Sequence, residues 1–275
     1  MKRSTWKKIG YTLGAVVICL GALAFAYKTG ENEYSKKGGL ILEYHGVGYE
    51  DWDSSLVVKP EVFEKHLQYL TKEGYKIVTV EELGERLRTG KSVEKYVALS
   101  FDDGYKTNYT QAFPLMKKYN AKGTFLVINR MIGTDPMYMT ETDIKEMIAG
   151  GMEIGSHTFS HNPLAEIDPK YLEWELATSQ YDLEKRFPGI QVRTLAYPNG
   201  SYNADIIAKL KKYGYHQALT GHTGMITPEF YKEHPMELYR LIIDDDGRGP
   251  FAFVGMIKRG YRHQYLRTFG IDLGD

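Results

Sequence analysis

Short apolar runs alternate with amphipathic stretches along most of this chain. Leu40–Tyr44 reads as a buried strand. Pro60–Lys72 follows as a helix, with proline in its first turn and Gly74 beyond its end. The alternation continues with a strand over 76–80, a helix over 81–88 closed by Gly90, and a strand over Tyr96–Phe101. A helix over 109–119 contains Pro114, which should kink it or move its start. Beyond it come a strand over 124–128, a helix over Glu141–Ala149 ended by Gly150 and Gly151, and a short strand over 153–155. Pro169–Arg186 is a long helix with Asp168 as its N-cap. Thr194–Ala196, 217–219 and 238–243 read as strands, with a helix over Ala204–Tyr213 between the first two. Strand–helix alternation with crossovers of this length predicts an α/β fold of about seven or eight mostly parallel strands, a distorted (β/α) barrel with its helices outside.

The first residues do not belong to that alternation. Lys2, Arg3, Lys7 and Lys8 precede an uncharged run from Ile9 to Ala26, a basic region followed by an apolar one, which directs the rest of the chain out of the cell. Ala24-Phe25-Ala26 resembles a small-x-small cleavage site, yet the run is also about long enough to span a bilayer. Residues 1–27 are therefore expected to be a signal peptide or a membrane anchor, residues 28–38 a polar linker, and residues 39–275 one catalytic domain. Cys19, the only cysteine, lies in the leader, so the exported body has no disulfide, no zinc–cysteine site and no cysteine nucleophile.

Charge narrows the partner class. The whole chain carries 35 basic and 35 acidic side chains, and without residues 1–26 the body holds 31 against 35. A slightly acidic body argues against nucleic acid. The 22 tyrosines suit stacking on sugars with a polar tip, although tyrosine is also an ordinary core and surface residue.

The chemistry concentrates in two segments at predicted strand ends, where α/β domains assemble their sites. Ser100-Phe101-Asp102-Asp103-Gly104 presents adjacent carboxylates, which on an extended strand end point different ways, so that one can bind a cation while the other serves as a base. Ser156-His157-Thr158-Phe159-Ser160-His161 presents two histidines at i and i+4, the spacing that shares a zinc-like ion across one helical turn. Asp103, His157 and His161 make three ligands and leave positions open for water and substrate, as catalytic metal sites do. Taken alone, an isolated histidine pair is more often a surface or capping pair, and an Asp-Asp pair more often a turn. Their occurrence together at two strand ends is what points to a site.

These two segments resemble the motifs of the polysaccharide deacetylases of carbohydrate esterase family 4. That family's first motif is Thr-Phe-Asp-Asp-Gly, with Ser100 in place of the threonine here, and its second is His-Ser/Thr-x-x-His. Ala121-Lys122-Gly123-Thr124-Phe125 is similar to the family's next strand. The resemblance runs from Leu40 to Ile243 and implies that Asp102 is the catalytic base and that Asp103, His157 and His161 hold the metal. It further implies that Ala196-Tyr197-Pro198-Asn199-Gly200 is the third motif, with Tyr197, Pro198, Asn199 and Gly200 against the substrate and the Asn199 backbone N–H as oxyanion donor. The arginine expected there is missing, and Arg193, five residues before the proline, is a weak substitute. The family's last motif, an apolar strand ending in Leu-His-Asp, has no counterpart after residue 243. Gly39-Leu40-Ile41-Leu42-Glu43-Tyr44-His45 matches it instead at the start of the body.

That order implies a circular permutation, as in the exported poly-N-acetylglucosamine deacetylases of biofilm formers, with His45 as general acid and His222 as its rival. His66, His216, His234 and His263 are expected to be surface or packing residues, Asp244-Asp245-Asp246 a solvated turn, and Arg240 either a partner of the base carboxylate or a surface ion pair. The implied activity is metal-dependent removal of acetyl groups from an extracellular N-acetylglucosamine polymer, poly-β-1,6-N-acetylglucosamine before peptidoglycan. Zinc is the expected metal, with cobalt or nickel as substitutes, and the membrane is a partner if the leader stays. A non-catalytic glycan-binding surface protein on the same fold is the alternative from another class, and a base beside the metal ligands argues against it.

Overall fold

The computed structural model describes residues 36–49, 56–244 and 250–267, together with Phe25 and Lys28. The predicted leader apart from Phe25, residues 29–35 of the predicted linker, and Asp245 and Asp246 lie outside the described residues. Among the described residues no helix is long and apolar enough to cross a membrane.

Ten strands are present among these residues: β1 (Leu40–Tyr44), β2 (Gly46–Val47), β3 (Val57–Val58), β4 (Lys76–Val78), β5 (Tyr96–Phe101), β6 (Thr124–Val127), β7 (Glu153–Ser156), β8 (Thr194–Ala196), β9 (Gln217–Thr223) and β10 (Leu238–Ile242). Eight helices accompany them: α1 (Pro60–Lys72), α2 (Val80–Arg88), α3 (Phe113–Lys118), α4 (Glu141–Ala149), α5 (Pro169–Arg186), α6 (Ala204–Tyr213), α7 (Pro228–Glu233) and α8 (Pro250–Arg267). The order β1-β10-β9-β8-β7-β6-β5 closes on itself, because β1 also pairs with β5, and every pairing is parallel. The result is a closed seven-stranded α/β barrel. The strand that opens the body thus sits between the strand that ends the alternation and β5, in register from Leu40↔Val97 to Tyr44↔Phe101. Strand β4 stays outside the ring, paired with the first half of β5 below β6.

Period-two alternation divides each strand between two cores. Leu42, Tyr44, Val97, Leu99, Phe101, Phe125, Val127, Leu195, Ala218 and Leu241 face outward into the layer under the helices. Tyr44, Phe101 and Phe125 stack there in sequence, with centroids 5.3 and 4.6 Å apart. Burial of each such ring contributes about 1.5–3 kcal/mol. Ile41, Ala98, Leu126, Ala196, Leu219 and Leu238 face inward and meet Val80, Leu83 and Leu87 of α2, which closes the N-terminal end of the barrel. At that floor the half-buried Glu153 accepts hydrogen bonds from Thr124 Oγ1 (2.6 Å), Thr194 Oγ1 (2.6 Å) and the Glu81 N–H (2.9 Å). Gly155 faces inward where a Cβ would meet Leu126 Cδ1 at 2.7 Å and the Thr194 carbonyl at 2.8 Å.

Two local expectations change. The helix predicted over 109–119 is a π-type turn over Asn108–Ala112 continued by α3, with Pro114 near the start of the regular part, where its missing N–H costs nothing. His157 and His161 do not share a helical turn. The segment after β7 is non-helical, and Thr158 (φ 64°) and His161 (φ 66°) are left-handed.

Candidate active site

The same alternation that fills the barrel places its polar residues at the C-terminal end. One step above the inner apolar layer, β1 presents Glu43, β5 presents Ser100 and then Asp102, and β10 presents Arg240. All four are buried. Sequence reading left Arg240 between two roles, and the surface ion pair is ruled out by its 2% exposure. Its Nη1 donates to Asp102 Oδ1 over 2.8 Å and its Nε donates to the Thr220 carbonyl over 3.0 Å, while Glu43 Oε2 lies 2.9 Å from that Nε. Burial alone would push the Asp102 carboxyl up, but the Arg240 guanidinium outweighs it and holds that group well below the usual carboxylate range. Glu43 goes the other way. Burial, opposed by Arg240 and reinforced by Asp102 and Asp103, pushes its carboxyl up to about 7.

Backbone geometry separates the two adjacent aspartates. Asp102 continues β5, its N–H bonded to the Tyr44 carbonyl at 2.9 Å, and points into the barrel. Asp103 is left-handed (φ 71°), followed by Gly104 (φ 78°), so its carboxylate swings toward the histidines. Asp103 Oδ1 lies 3.5 Å from His157 Nε2 and 3.4 Å from His161 Nε2. Two donor atoms about 2.1 Å from one ion at a tetrahedral angle stand about 3.4 Å apart, so this donor set fits a single divalent metal. His157 Nδ1 lies 2.9 Å from the Ala196 carbonyl, the contact that commits its proton to that nitrogen and turns the Nε2 lone pair toward Asp103. The His161 N–H donates to Thr158 Oγ1 at 3.0 Å, and the Glu175 carboxylate accepts from the Phe159 N–H (3.1 Å) and the Ser160 N–H (3.0 Å). Left-handed non-glycine residues cost about 1–2 kcal/mol each, and four of them, Asp103, Thr158, His161 and Asn199, lie at these strand ends.

A second acidic cluster, Glu43, His45 and Asp102, lies beside the first. Arg240 already occupies the space between its two carboxylates, so it is not read as a second cation site. His45 Nε2 is 3.8 Å from Glu43 Oε1, and its carbonyl accepts from Asn108 Nδ2 at 2.9 Å. Burial lowers the His45 pKa, opposed by Asp102 and Asp103. The 197–200 stretch forms a short turn at the end of β8, with Gly200 N–H on the Tyr197 carbonyl and Ser201 N–H on the Pro198 carbonyl. Asn199 is left-handed (φ 53°) within it. Tyr197 is buried, its hydroxyl donating to the Met236 carbonyl at 2.9 Å, so its side chain is a packing element.

Other candidates fall elsewhere. Arg193 lies at the floor of the barrel with His216 and Gln191, which removes it as a substitute for the missing arginine. His222 is exposed and stands edge-on to Tyr239 at 6.3 Å, outside the Glu43–Arg240–Asp102 group. His66 packs in the core against Phe253. Glu43 and Glu175 are the residues that motif reading missed, and Arg240 takes the first of its two expected roles, partner of the base carboxylate. Glu43 and Arg240 lie on inward positions of their strands, and Glu175 interrupts the apolar stripe Leu172–Leu176–Leu183, which is the signal that could have found it.

Comparison with known proteins identifies the family. The sequence pattern of the polysaccharide deacetylase domain matches residues 89–218. The chain belongs to the polysaccharide deacetylases, and its barrel is of the circularly permuted type. The Bacillus subtilis protein YxkH, assigned by name to the same family, is 35% identical over 185 residues, 67% of this chain and 64% of that one. The match therefore spans slightly less than two thirds of YxkH. The poly-β-1,6-N-acetyl-D-glucosamine N-deacetylase of Staphylococcus epidermidis is 27% identical over 252 residues, 82% of this chain and 84% of that protein. Among solved structures, the Streptococcus pyogenes deacetylase PplD, in complex with acetate, superposes with a TM-score of 0.74 at 27% identity, covering 81% of this chain and 99% of that one. IcaB from Ammonifex degensii shares the fold, with a TM-score of 0.70 at 24% identity over 82% of this chain and 97% of that one.

Proposed function

We propose that this chain hydrolyses the N-acetyl groups of N-acetylglucosamine units in an exported polysaccharide, poly-β-1,6-N-acetylglucosamine. The observation that carries the reading is the convergence of Asp103, His157 and His161 on one point, beside an Asp102 carboxylate that a separate cation holds ionised. Similarity to the staphylococcal enzyme over 82% of this chain supports the choice of polymer. The basic and apolar leader supports export, whether it is cleaved or kept as an anchor.

Asp103, His157 and His161 would hold a divalent ion, zinc in our reading, because two imidazoles and one carboxylate are a zinc-type donor set. Such an ion, when bound, polarises the acetamide carbonyl and makes the attacking water more acidic. Asp102 is the base. Arg240 keeps it ionised and fixes Oδ1, which leaves Oδ2 to accept a proton from water as its oxygen bonds to the carbonyl carbon. The Asn199 N–H stabilises the developing oxyanion, with Pro198 and Gly200 shaping the turn that aims it. His45 donates a proton to the sugar nitrogen as the C–N bond breaks, releasing acetate and a free amine. Burial makes its imidazolium a stronger acid than usual, and Glu43, titrating at about 7, stands 3.8 Å away to return a proton to it.

The test is acetate release by the full chain from β-1,6- and β-1,4-linked N-acetylglucosamine oligomers, with metal stripped and then restored. Release that requires metal and prefers the β-1,6 linkage is expected. Preference for β-1,4 oligomers would move the substrate to peptidoglycan-like polymers, and binding without release would leave a glycan-binding protein.

A further inference from the structure

The outer face of α5 carries large exposed rings near its first turns. Tyr171 is 56% exposed and Trp174 47%, and their spacing of three puts them on one side of the helix. The core side of the helix is already supplied by Leu172, Leu176 and Leu183, so neither ring is needed to hold α5 on the barrel. Single exposed apolar residues are unremarked features of protein surfaces. Trp174 is not single. Its indole meets Phe159 with centroids 4.4 Å apart at 62°, and Phe159 lies in the loop between His157 and His161.

That loop is held rigidly. The Phe159 N–H is bound by Glu175, the neighbour of Trp174 on α5, and its carbonyl accepts from the Arg130 N–H at 3.1 Å. Phe159 and Trp174 are thus fixed relative to the donor atoms that Asp103, His157 and His161 bring together. Around the pair the polar groups are neutral or already paired. Asn162 Nδ2 is bonded to Ser160 Oγ at 2.7 Å, and Lys170, whose Nζ stands 4.8 Å over the Tyr171 ring, is paired with Asp168 at 2.9 Å. An aromatic ledge in which the Trp174 indole meets the Phe159 ring edge to face offers an exposed π-face to a pyranose ring, which has an apolar C–H face and a rim of hydroxyls.

We propose that Phe159 and Trp174, extended by Tyr171, form a distal glycan subsite that stacks a further unit of the strand whose acetamide is at the metal site. This rests on the reading of the site as a polysaccharide deacetylase, and it adds the direction in which the polymer leaves the centre, over the β7–α5 corner.

The ledge is tested on the full chain loaded with zinc, with a β-1,6-linked N-acetylglucosamine disaccharide and hexasaccharide as substrates. In the unaltered protein kcat/KM is expected to be higher for the hexasaccharide. Trp174→Ala should lower the ratio of hexasaccharide to disaccharide kcat/KM about tenfold, Trp174→Phe should recover most of it, and Tyr181→Ala, at the far end of the same helix and 66% exposed, should leave it unchanged. An unchanged ratio in Trp174→Ala, or an equal loss on both lengths, overturns the proposal. Calorimetric binding of the hexasaccharide to Asp102→Asn, with and without Trp174→Ala, separates the ledge from the catalytic reading. Trp174-dependent binding without acetate release in the unaltered protein keeps the ledge and removes the deacetylase, whereas Trp174-independent binding removes the ledge. Trp174-dependent capture of phosphatidylglycerol vesicles with no effect on the hexasaccharide assigns the rings to a membrane surface and overturns the proposal as well.

Discussion

Arg240 Nη1 donates to Asp102 Oδ1 over 2.8 Å, across 138 residues of chain and between two buried side chains. In the family that this sequence resembles, an arginine is expected beside the Pro-Asn-Gly turn, and none is there. The cation comes instead from the middle of β10. Removing one partner of a buried ion pair leaves the other uncompensated, at a cost of about 3–5 kcal/mol. Arg240→Met should therefore lower thermal stability and reduce acetate release by at least about a hundredfold, whereas Arg240→Lys should retain part of both. Full activity in Arg240→Met would show that Asp102 needs no cation.

Metal binding and proton transfer should separate by mutation. Asp102→Asn keeps the three donors and is expected to bind zinc with unchanged stoichiometry while acetate release falls about 10²–10⁴-fold. Asp103→Asn and His161→Ala should lose the metal itself. Elemental analysis after dialysis distinguishes the two outcomes, and loss of zinc from Asp102→Asn would place Asp102 among the ligands.

The role assigned to Asn199 belongs to its backbone, so its side chain should be dispensable. Asn199→Gly suits the left-handed φ of 53° and should keep activity within a few-fold. Asn199→Val, whose branched side chain resists that conformation, should cost about 1–2 kcal/mol and misaim the N–H. A loss in Asn199→Gly as large as in Asn199→Val would transfer the role to the carboxamide.

Glu43 should leave a signature in the pH dependence of stability. Its carboxyl rises from an ordinary 4.5 to about 7 in the folded chain. Between those values the folded state binds the extra proton, so the contribution of this group falls as pH rises through that window and is level above it. Glu43→Gln should therefore gain in Tm relative to the unaltered protein more at pH 8 than at pH 4.5. Parallel Tm profiles for the two would mean that Glu43 ionises normally.

His66 should act with the opposite sign. It is stacked on Phe253 at 3.9 Å, lies 3.1 Å from the Tyr44 hydroxyl, and is lowered by burial from 6.5 to about 3. Between those values the unfolded chain binds more protons, so stability is full above pH 6.5 and declines as pH falls toward 3. The urea midpoint of the unaltered protein should be lower at pH 5 than at pH 7, and His66→Phe should shrink that difference. At pH 7 the same substitution should cost about 1–3 kcal/mol, because the Tyr44 hydroxyl loses its partner.

Most of the scaffold was legible along the chain. Tyr96–Phe101, Glu141–Ala149, Pro169–Arg186, Thr194–Ala196 and Ala204–Tyr213 begin and end where apolar period, caps and glycines place them. Helix α8, which contains Gly255 and Gly260, was not predicted. In the fold Gly260 lets the helix approach the sheet, where a Cβ would meet Leu40 Cδ2 and Leu241 Cδ1 at 3.0 Å. Helix α7 and the two-residue strands β2 and β3 are too short to carry a period.

By itself the sequence determined most of the strands and helices, the two motif segments at strand ends, and the unusual position of His45 before them, because apolar period, capping and turn chemistry are local properties. Which strands became neighbours was decided only by closure of the barrel. Seating β1 between β10 and β5 brought Glu43 to Arg240 and Arg240 to Asp102. Left-handed turns at Asp103, Thr158 and His161, held by Glu175 and by the Ala196 carbonyl, then gathered three donors that the spacing of the residues suggested but a helical turn did not supply. Those contacts join residues far apart in the chain, and their energy exists only once the sheet has closed.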